Sequence, residues 1–322
     1  MTQAIEFATP SLEHLSPQQS QHLMGLRRLG LEDLPRWKQA LEQAQPKGFG
    51  CYFPYVLAHQ GSRRSTVLVG EDGGSLCCYM LRERRRGPLL DVYLPPMPMD
   101  VSIAQRCLER ANGFNGNRSA RILRINESEA PRAMQIPGLK VRERRKQYLY
   151  APKAYADLSG KKYQTLRHHL AKIEKRTDIE TAPYSDRFAA PCRELLQQWS
   201  ERYRQTFGKS GGAGLSKRVL ALADVLSAPD LTGEVTLLGD RLVGYWLGGQ
   251  LRPGLGCFVD GKSDLDVPGL GYFQRYRFLT THDSFELVND GSDARRSGLR
   301  QLKSSLRPAA MHIEYRGIQE TA

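Results

Sequence analysis

Residues 256–263, GCFVDGKS, bring an acid, an amine and a hydroxyl within four positions and match the nucleotide phosphate-loop pattern G-x-x-x-x-G-K-[ST] letter for letter. That loop works only if a strand enters it, its main-chain amides wrap phosphates, and a helix starts at the Lys-Ser pair. Here Cys257, Phe258 and Val259 are apolar and strand-like, and Asp260 would set a carboxylate against a polyanion. After Ser263 come Asp264, Leu265, Asp266, Val267, Pro268 and Gly269, which cannot carry a helix. The spelling therefore predicts a buried strand, Gly256 to Val259, ending in a turn.

A second stretch with chemical content is LSGKKYQTLRHHLAKIEKR, residues 158–176. Tyr163, Leu166, Leu170 and Ile173 recur at helical spacing and form an apolar stripe. Lys161, Lys162, Arg167, His168, Lys172, Lys175 and Arg176 fill the remainder, with Glu174 the only acid. Such a face suits phosphate contacts, each of which releases counterions from a nucleic acid. A solvated charged face is the other reading.

Two further segments follow strands. DVPGLGYFQRY, 266–276, sets a Gly-rich loop before a helix, where free amides can hold an anion. Its position is similar to the pyrophosphate loop of GNAT acyltransferases: Gly269 and Gly271 fit, but Asp266 stands where Gln or Arg is expected. In VNDGSDARRSGLRQLKSSLRP, 288–308, Asn289 to Ser292 form a turn with Ser292 as cap, and Arg295, Arg296, Arg300, Lys303 and Arg307 follow. Cations around a post-strand loop suit a phosphate or carboxylate clamp.

The elements that must position these residues are short and mixed. In the first half the pattern predicts helices over 17–28, 31–44 and 101–112, the last burying Ile103, Cys107, Leu108 and Ala111. A Glu71–Gly74 turn joins strands 65–69 and 75–81, and strands follow at 89–94 (closed by Pro95 and Pro96), 120–125 and 147–150. Residues 151–160 read as a junction. The second half predicts helices over 160–177 (capped by Ser159), 188–206, 215–227, 269–283 and 292–305, with a flexible loop at 209–214. Its strands are 179–182, 234–238, 241–247, 254–259, 284–289 and 311–315, with Gly239-Asp240 as a turn. The expectation is an α+β chain of two lobes, 1–150 and 155–322, each a mixed strand meander flanked by helices.

The bulk numbers suit that picture. At 322 residues the chain is long enough for two domains, and 40% hydrophobic with 25% charged residues is ordinary for a globular protein. A net charge of +13 favours polyanionic partners: nucleic acid, an anionic membrane surface or a phosphate-rich cofactor. The six cysteines show neither C-x-x-C pairs nor histidines at zinc spacing, so free thiols and a cytoplasmic location with no metal are expected. No secretory signal and no 18-residue apolar run is present.

The helix and the last basic segment together resemble the C-terminal catalytic domain family of phosphatidylglycerol lysyltransferases. The matching positions are Leu158, Ser159, Gly160, Lys161, Lys162, Arg167 and His169 in the first motif, and Asn289, Asp293, Gly298, Leu299, Arg300 and Lys303 in the second. Arg295 stands where that family usually has glycine. The resemblance covers residues 155–315 well and is weak before them. It implies two tandem GNAT-like lobes and an aminoacyltransferase using aminoacyl-tRNA as co-substrate, with no other cofactor and a lipid, peptide or small-molecule acceptor. Under that implication Asp260, Lys303 and Arg300 are the catalytic candidates. Asn289, Asp293 and Lys262 would bind substrate, and Lys161, Lys162, Arg167, His168 and Lys172 would meet tRNA. Peripheral membrane contact is compatible with this reading, and the oligomeric state is left open. The alternatives are an acyl-coenzyme A N-acyltransferase of the GNAT class and a non-catalytic nucleic-acid-binding protein.

Overall fold

A computed structural model describes residues 15–60, 65–85, 87–117, 119–208 and 211–319. These residues fold as two α+β units. The first holds the described residues up to Lys146 together with those from His312 onward, and the second is Gln147–Met311. Residues 312–319, expected in the second lobe of 155–322, thus belong to the first unit, where Tyr315 and Gly317 pair with Ile125 and Ile122.

The first unit contains α1 (Pro17–His22), β1 (Arg27–Arg28), α2 (Leu34–Ala44), α3 (Phe53–Leu57), β2 (Ser65–Asp72), β3 (Ser75–Arg82), β4 (Leu89–Met97), α4 (Val101–Asn115), β5 (Arg121–Ile125), α5 (Ala130–Ala133) and most of β6 (Leu139–Tyr150). β1 to β4 form an antiparallel meander whose β2–β3 turn needs Gly73 and Gly74, both with positive φ. α4 then crosses over, and β5 returns parallel to β4 with Val92 opposite Ile122. Ile103, Cys107, Leu108 and Ala111 of α4 pack on Leu90, Val92 and Ile122 to form the core. The helix expected over 17–28 ends at His22, because Gly25 turns the chain with φ +76 and Arg27 pairs with Val69. Pro95 and Pro96 do not close β4; the strand runs on to Met97, past a register shift between Leu76 and Cys78 of β3 where no ladder donor is required.

The second unit takes the last residues of β6, then α6 (Gln164–Glu174), β7 (Ile179–Pro183), α7 (Ala189–Phe207), α8 (Ala213–Ala223), β8 (Thr232–Leu238), β9 (Arg241–Arg252), β10 (Leu255–Ser263), α9 (Leu270–Thr281), β11 (Leu287–Asn289) and α10 (Ser297–Ser305). β7 to β10 repeat the antiparallel meander, α9 crosses over, and β11 runs parallel to β10 with Cys257 opposite Asn289. Each unit is closed by a strand from elsewhere in the chain: β6 pairs with β11 in the second, and β12 (Ala310–Gln319) pairs with β5 in the first.

Three local expectations change. GCFVDGKS does not end in a turn at Val259; β10 continues through Ser263 with a register shift between Phe258 and Asp260. Ser159 does not cap a helix: its hydroxyl donates to Asp157, and a short 3-10 turn at Lys161–Tyr163 precedes α6. Ser292 starts no helix either, since Ala294 and Arg295 take φ of +50 and +60, left-handed values that delay α10 to Ser297. Lys209 and Ser210 of the expected 209–214 loop lie outside the described residues. All six cysteines are buried and none forms a disulfide among the described residues, and no helix among those residues is long and apolar enough to cross a membrane.

Candidate functional site

The register shift in β10 sets the geometry of the first cluster. A bulge re-aims side chains, and here Asp260 and Lys262, two apart, share one face of the strand. Asp260 accepts three hydrogen bonds: from Ser216 Oγ of α8 at 2.9 Å, Tyr245 Oη of β9 at 2.9 Å and Lys262 Nζ at 2.5 Å. Both charged side chains are largely covered, at 11% and 8% exposure. Burial first, and then the Asp260 charge, push the Tyr245 phenol well up, so it remains a donor. Lys262 Nζ also lies 5.0 Å from the centroid of the Trp199 ring on α7. Gln274 of α9 fastens the bulge from below, donating to the carbonyls of Tyr245 and Lys262 while accepting from Ser263 Oγ. Sequence reasoning missed Ser216, Tyr245, Trp199 and Gln274, whose contacts are all non-local.

The second cluster lies where β11 ends. Asn289 is fully buried, donating to Gln147 and accepting from the Gly291 amide, so it shapes the turn. Lys303 reaches up from α10, its ammonium 3.2 Å from Asp290 Oδ1 and hydrogen-bonded to the main-chain carbonyls of Asp290, Gly291 and Ser292. Burial lowers its pKa to about 8, against the opposing pull of Asp290. With its donors thus engaged, Lys303 holds the loop after β11 in this structure. Arg300 pairs with Asp293 at 2.7 Å, and the Tyr148 hydroxyl donates to the same carboxylate. Burial alone would raise the Asp293 carboxyl, but Arg300 and the Arg295 amide bring it below its usual value.

The structure brings Asp260 to Lys262, and Asn289, Asp293, Arg300 and Lys303 to one loop. Arg275 on α9 stands between the groups: its Nε lies 2.8 Å from Asp290 and its guanidinium 4.6 Å from the Phe258 ring centroid on β10. Arg296 ties the loop to α7, lying over Tyr203 and donating to the Gly211 carbonyl. No group of three His, Cys, Asp or Glu side chains among the described residues could hold a metal ion.

On the basic segment the apolar stripe of Tyr163, Leu166, Leu170 and Ile173 is buried. Lys161, Lys162, Arg167, His168 and Lys172 are exposed. Arg167 is partly engaged, donating to the carbonyls of Leu158 and Gly160, so it also holds the preceding loop. His169 stacks flat on Tyr272 of α9, with centroids 3.9 Å apart.

At the GNAT-like loop, Asp266 is paired with Arg202 at 3.0 Å. Gly269 heads α9 with φ +96, and a Cβ there would come within 2.6 Å of the His169 carbonyl. The His169 carbonyl therefore leaves no room for a side chain at Gly269.

The model of the phosphatidylglycerol lysyltransferase C-terminal family matches residues 71–257. This match reaches further back than the expected coverage of 155–315 and stops before the motif at 289–303. Among solved structures, a conserved protein of unknown function from Bacteroides thetaiotaomicron is similar at 16% identity and TM-score 0.71, over 92% of this chain and 99% of that one. L-PGS from Bacillus licheniformis is similar at 11% identity and TM-score 0.65, over 92% and 94%. FemX is similar at 8% identity and TM-score 0.59, over 92% and 98%. At such identities the likeness is one of fold: two tandem lobes of this α+β type. None of the curated proteins matches the chain.

Proposed function

The chain belongs to the phosphatidylglycerol lysyltransferase C-terminal family and is an enzyme of acyltransferase type, and we propose that it moves an amino acid from aminoacyl-tRNA to an acceptor amine or hydroxyl beside Asp260 and Lys262. The tRNA ester is already activated. The acceptor attacks its carbonyl carbon, the ester C–O bond breaks, and the freed tRNA hydroxyl takes up the proton the acceptor gives away. What the protein must supply is positioning, a place for that proton, and charge for the developing oxyanion.

The observation that carries this reading is the Asp260–Lys262 pair at the β10 bulge, with Ser216, Tyr245 and Trp199 around it. Buried ion pairs are poor stabilisers, so a largely covered pair fixed by four elements fits a chemical use better than a structural one. Asp260 orients the acceptor and takes its proton. Lys262, steadied by Trp199, faces the oxyanion. Asp293 and Arg300 flank the substrate, and the exposed cations of residues 161–172 meet the tRNA backbone. One feature speaks against coenzyme A as donor: the Asp266 carboxylate, three residues before Gly269 at the head of α9.

The test is transfer of radiolabelled amino acid from a mixed pool of charged tRNA to lipid, peptide and small-molecule acceptors, run beside acyl-coenzyme A. Label appearing on an acceptor only with charged tRNA supports the proposal; transfer only from coenzyme A overturns it.

A further inference from the structure

The first unit contains a group of cations that no part of the transfer chemistry uses. Arg82 of β3 and Arg121 of β5 both pair with the buried Asp91 of β4. Arg124 of β5 and Arg144 of β6 both pair with the buried Glu314 of β12. Arg316 follows two residues after Glu314 on the same strand. Four guanidinia from neighbouring strands thus share two carboxylates, and Arg316 stands beside them without one, with Arg84 and Arg145 adding charge nearby.

Hydrogen bonding leaves this group incomplete. The Nε atoms of Arg82, Arg144 and Arg316 are shut off from solvent and have no hydrogen-bond partner among the described residues. Three buried, unmet donors within one cationic cluster are costly in each case, and they point to a missing acceptor. Arg124, by contrast, is satisfied by Glu314 and the Tyr55 hydroxyl and lies over the rings of Tyr55 and Tyr93. Burial first, and then the neighbouring arginines, lower the Arg82 pKa to about 10 and act in the same direction on Arg316. A bound anion would relieve both the repulsion and the unmet donors.

We infer that Arg82, Arg121, Arg144 and Arg316 form a binding site for a compact phosphate group, a free phosphate or a small phosphomonoester, in the first unit. Planar guanidinia match phosphate oxygens two at a time, and a tetrahedral phosphate has enough oxygens to meet several guanidinia at once, which a carboxylate or chloride has not. Arg82 and Arg144 are only 18% exposed, a recessed setting that admits one tetrahedral group and not the backbone of an RNA duplex. This inference does not rest on the transfer reaction.

Thermal unfolding of the full chain tests it, at constant ionic strength, with chloride replaced stepwise by inorganic phosphate or by glycerol 3-phosphate. A saturable rise of a few degrees is expected, by mass action on the folded state. The same rise with both probes indicates a site for phosphate itself, and a larger one with glycerol 3-phosphate a site for a monoester. Arg316→Gln, which breaks neither carboxylate pairing, should fold as well as the parent and lose most of the rise; Arg82→Gln should do the same if it folds. No saturable rise, or an equal rise in Arg316→Gln, overturns the site. So does a loss of duplex RNA binding in Arg316→Gln without any phosphate effect.

Discussion

Lys303 holds Asp290 twice, through its carboxylate and through its main-chain carbonyl, and so clamps the chain just after β11. Its ammonium titrates at about 8 instead of 10.5 because burial disfavours the charge. Between these values the unfolded chain keeps a proton that the folded protein has released, so the contribution of Lys303 to stability rises with pH by about 1.4 kcal/mol per unit. Below about pH 8 both states are protonated and the contribution is flat. Lys303→Met should lower stability by about 3 kcal/mol at pH 7, since it strands Asp290 and the loop carbonyls. In urea titrations from pH 7 to 10, the gap to the parent protein should widen above about pH 8. A pH-independent gap would contradict the lowered pKa of Lys303, and no gap at pH 7 would remove the clamp.

Arg295 is an exposed residue at φ +60, next to Ala294 at φ +50. Glycine adopts this region without the Cβ penalty of roughly 1 kcal/mol. Arg295→Gly should therefore stabilise the protein by up to about 1 kcal/mol, seen as a rise of about 2–4 °C in Tm for a unit of this size. A lower Tm would mean that the Arg295 side chain makes a contact worth more than the strain.

Much of this frame was legible in the sequence, and the reasons differ by element. α4 showed its buried stripe because one face packs on one sheet, and the β2–β3 hairpin announced itself through Gly73 and Gly74. β6 was seen only in its last four residues, because Leu139–Lys146 is a charged stretch whose strand conformation is imposed by its neighbours. At the site, Asp260 and Lys262 could be picked out because acid and amine stand two apart, which a strand puts on one face. Ser216 and Trp199 carry no local signal, since they reach that pair only through the packing of α7 and α8. Lys303 was legible as a cation near a loop but not as a buried one; the three carbonyls it meets belong to the backbone.

The exposed cations of residues 161–172 give an electrostatic prediction. Each phosphate contact contributes roughly 0.7–0.9 to the slope of log affinity against log salt. Changing Lys161 and Lys162 together to Ala should flatten that slope by about one to two units and weaken different tRNAs about equally. Filter binding from about 50 to 200 mM salt reads it directly. An unchanged slope in a folded variant makes the segment a solvated face.

The proposed transfer turns on Asp260. The carboxylate is fixed by Ser216, Tyr245 and Lys262, so Asp260→Asn keeps its shape while removing the charge that, on the proposed reaction, takes the acceptor proton. Single-turnover transfer from labelled aminoacyl-tRNA, measured beside tRNA affinity for the same preparation, separates chemistry from binding. The variant should transfer at least about 100-fold more slowly, the usual scale for a lost general base, with tRNA affinity within about 3-fold of the parent. Transfer at the parental rate, with affinity unchanged, would contradict the assignment of the β10 bulge as the reacting centre.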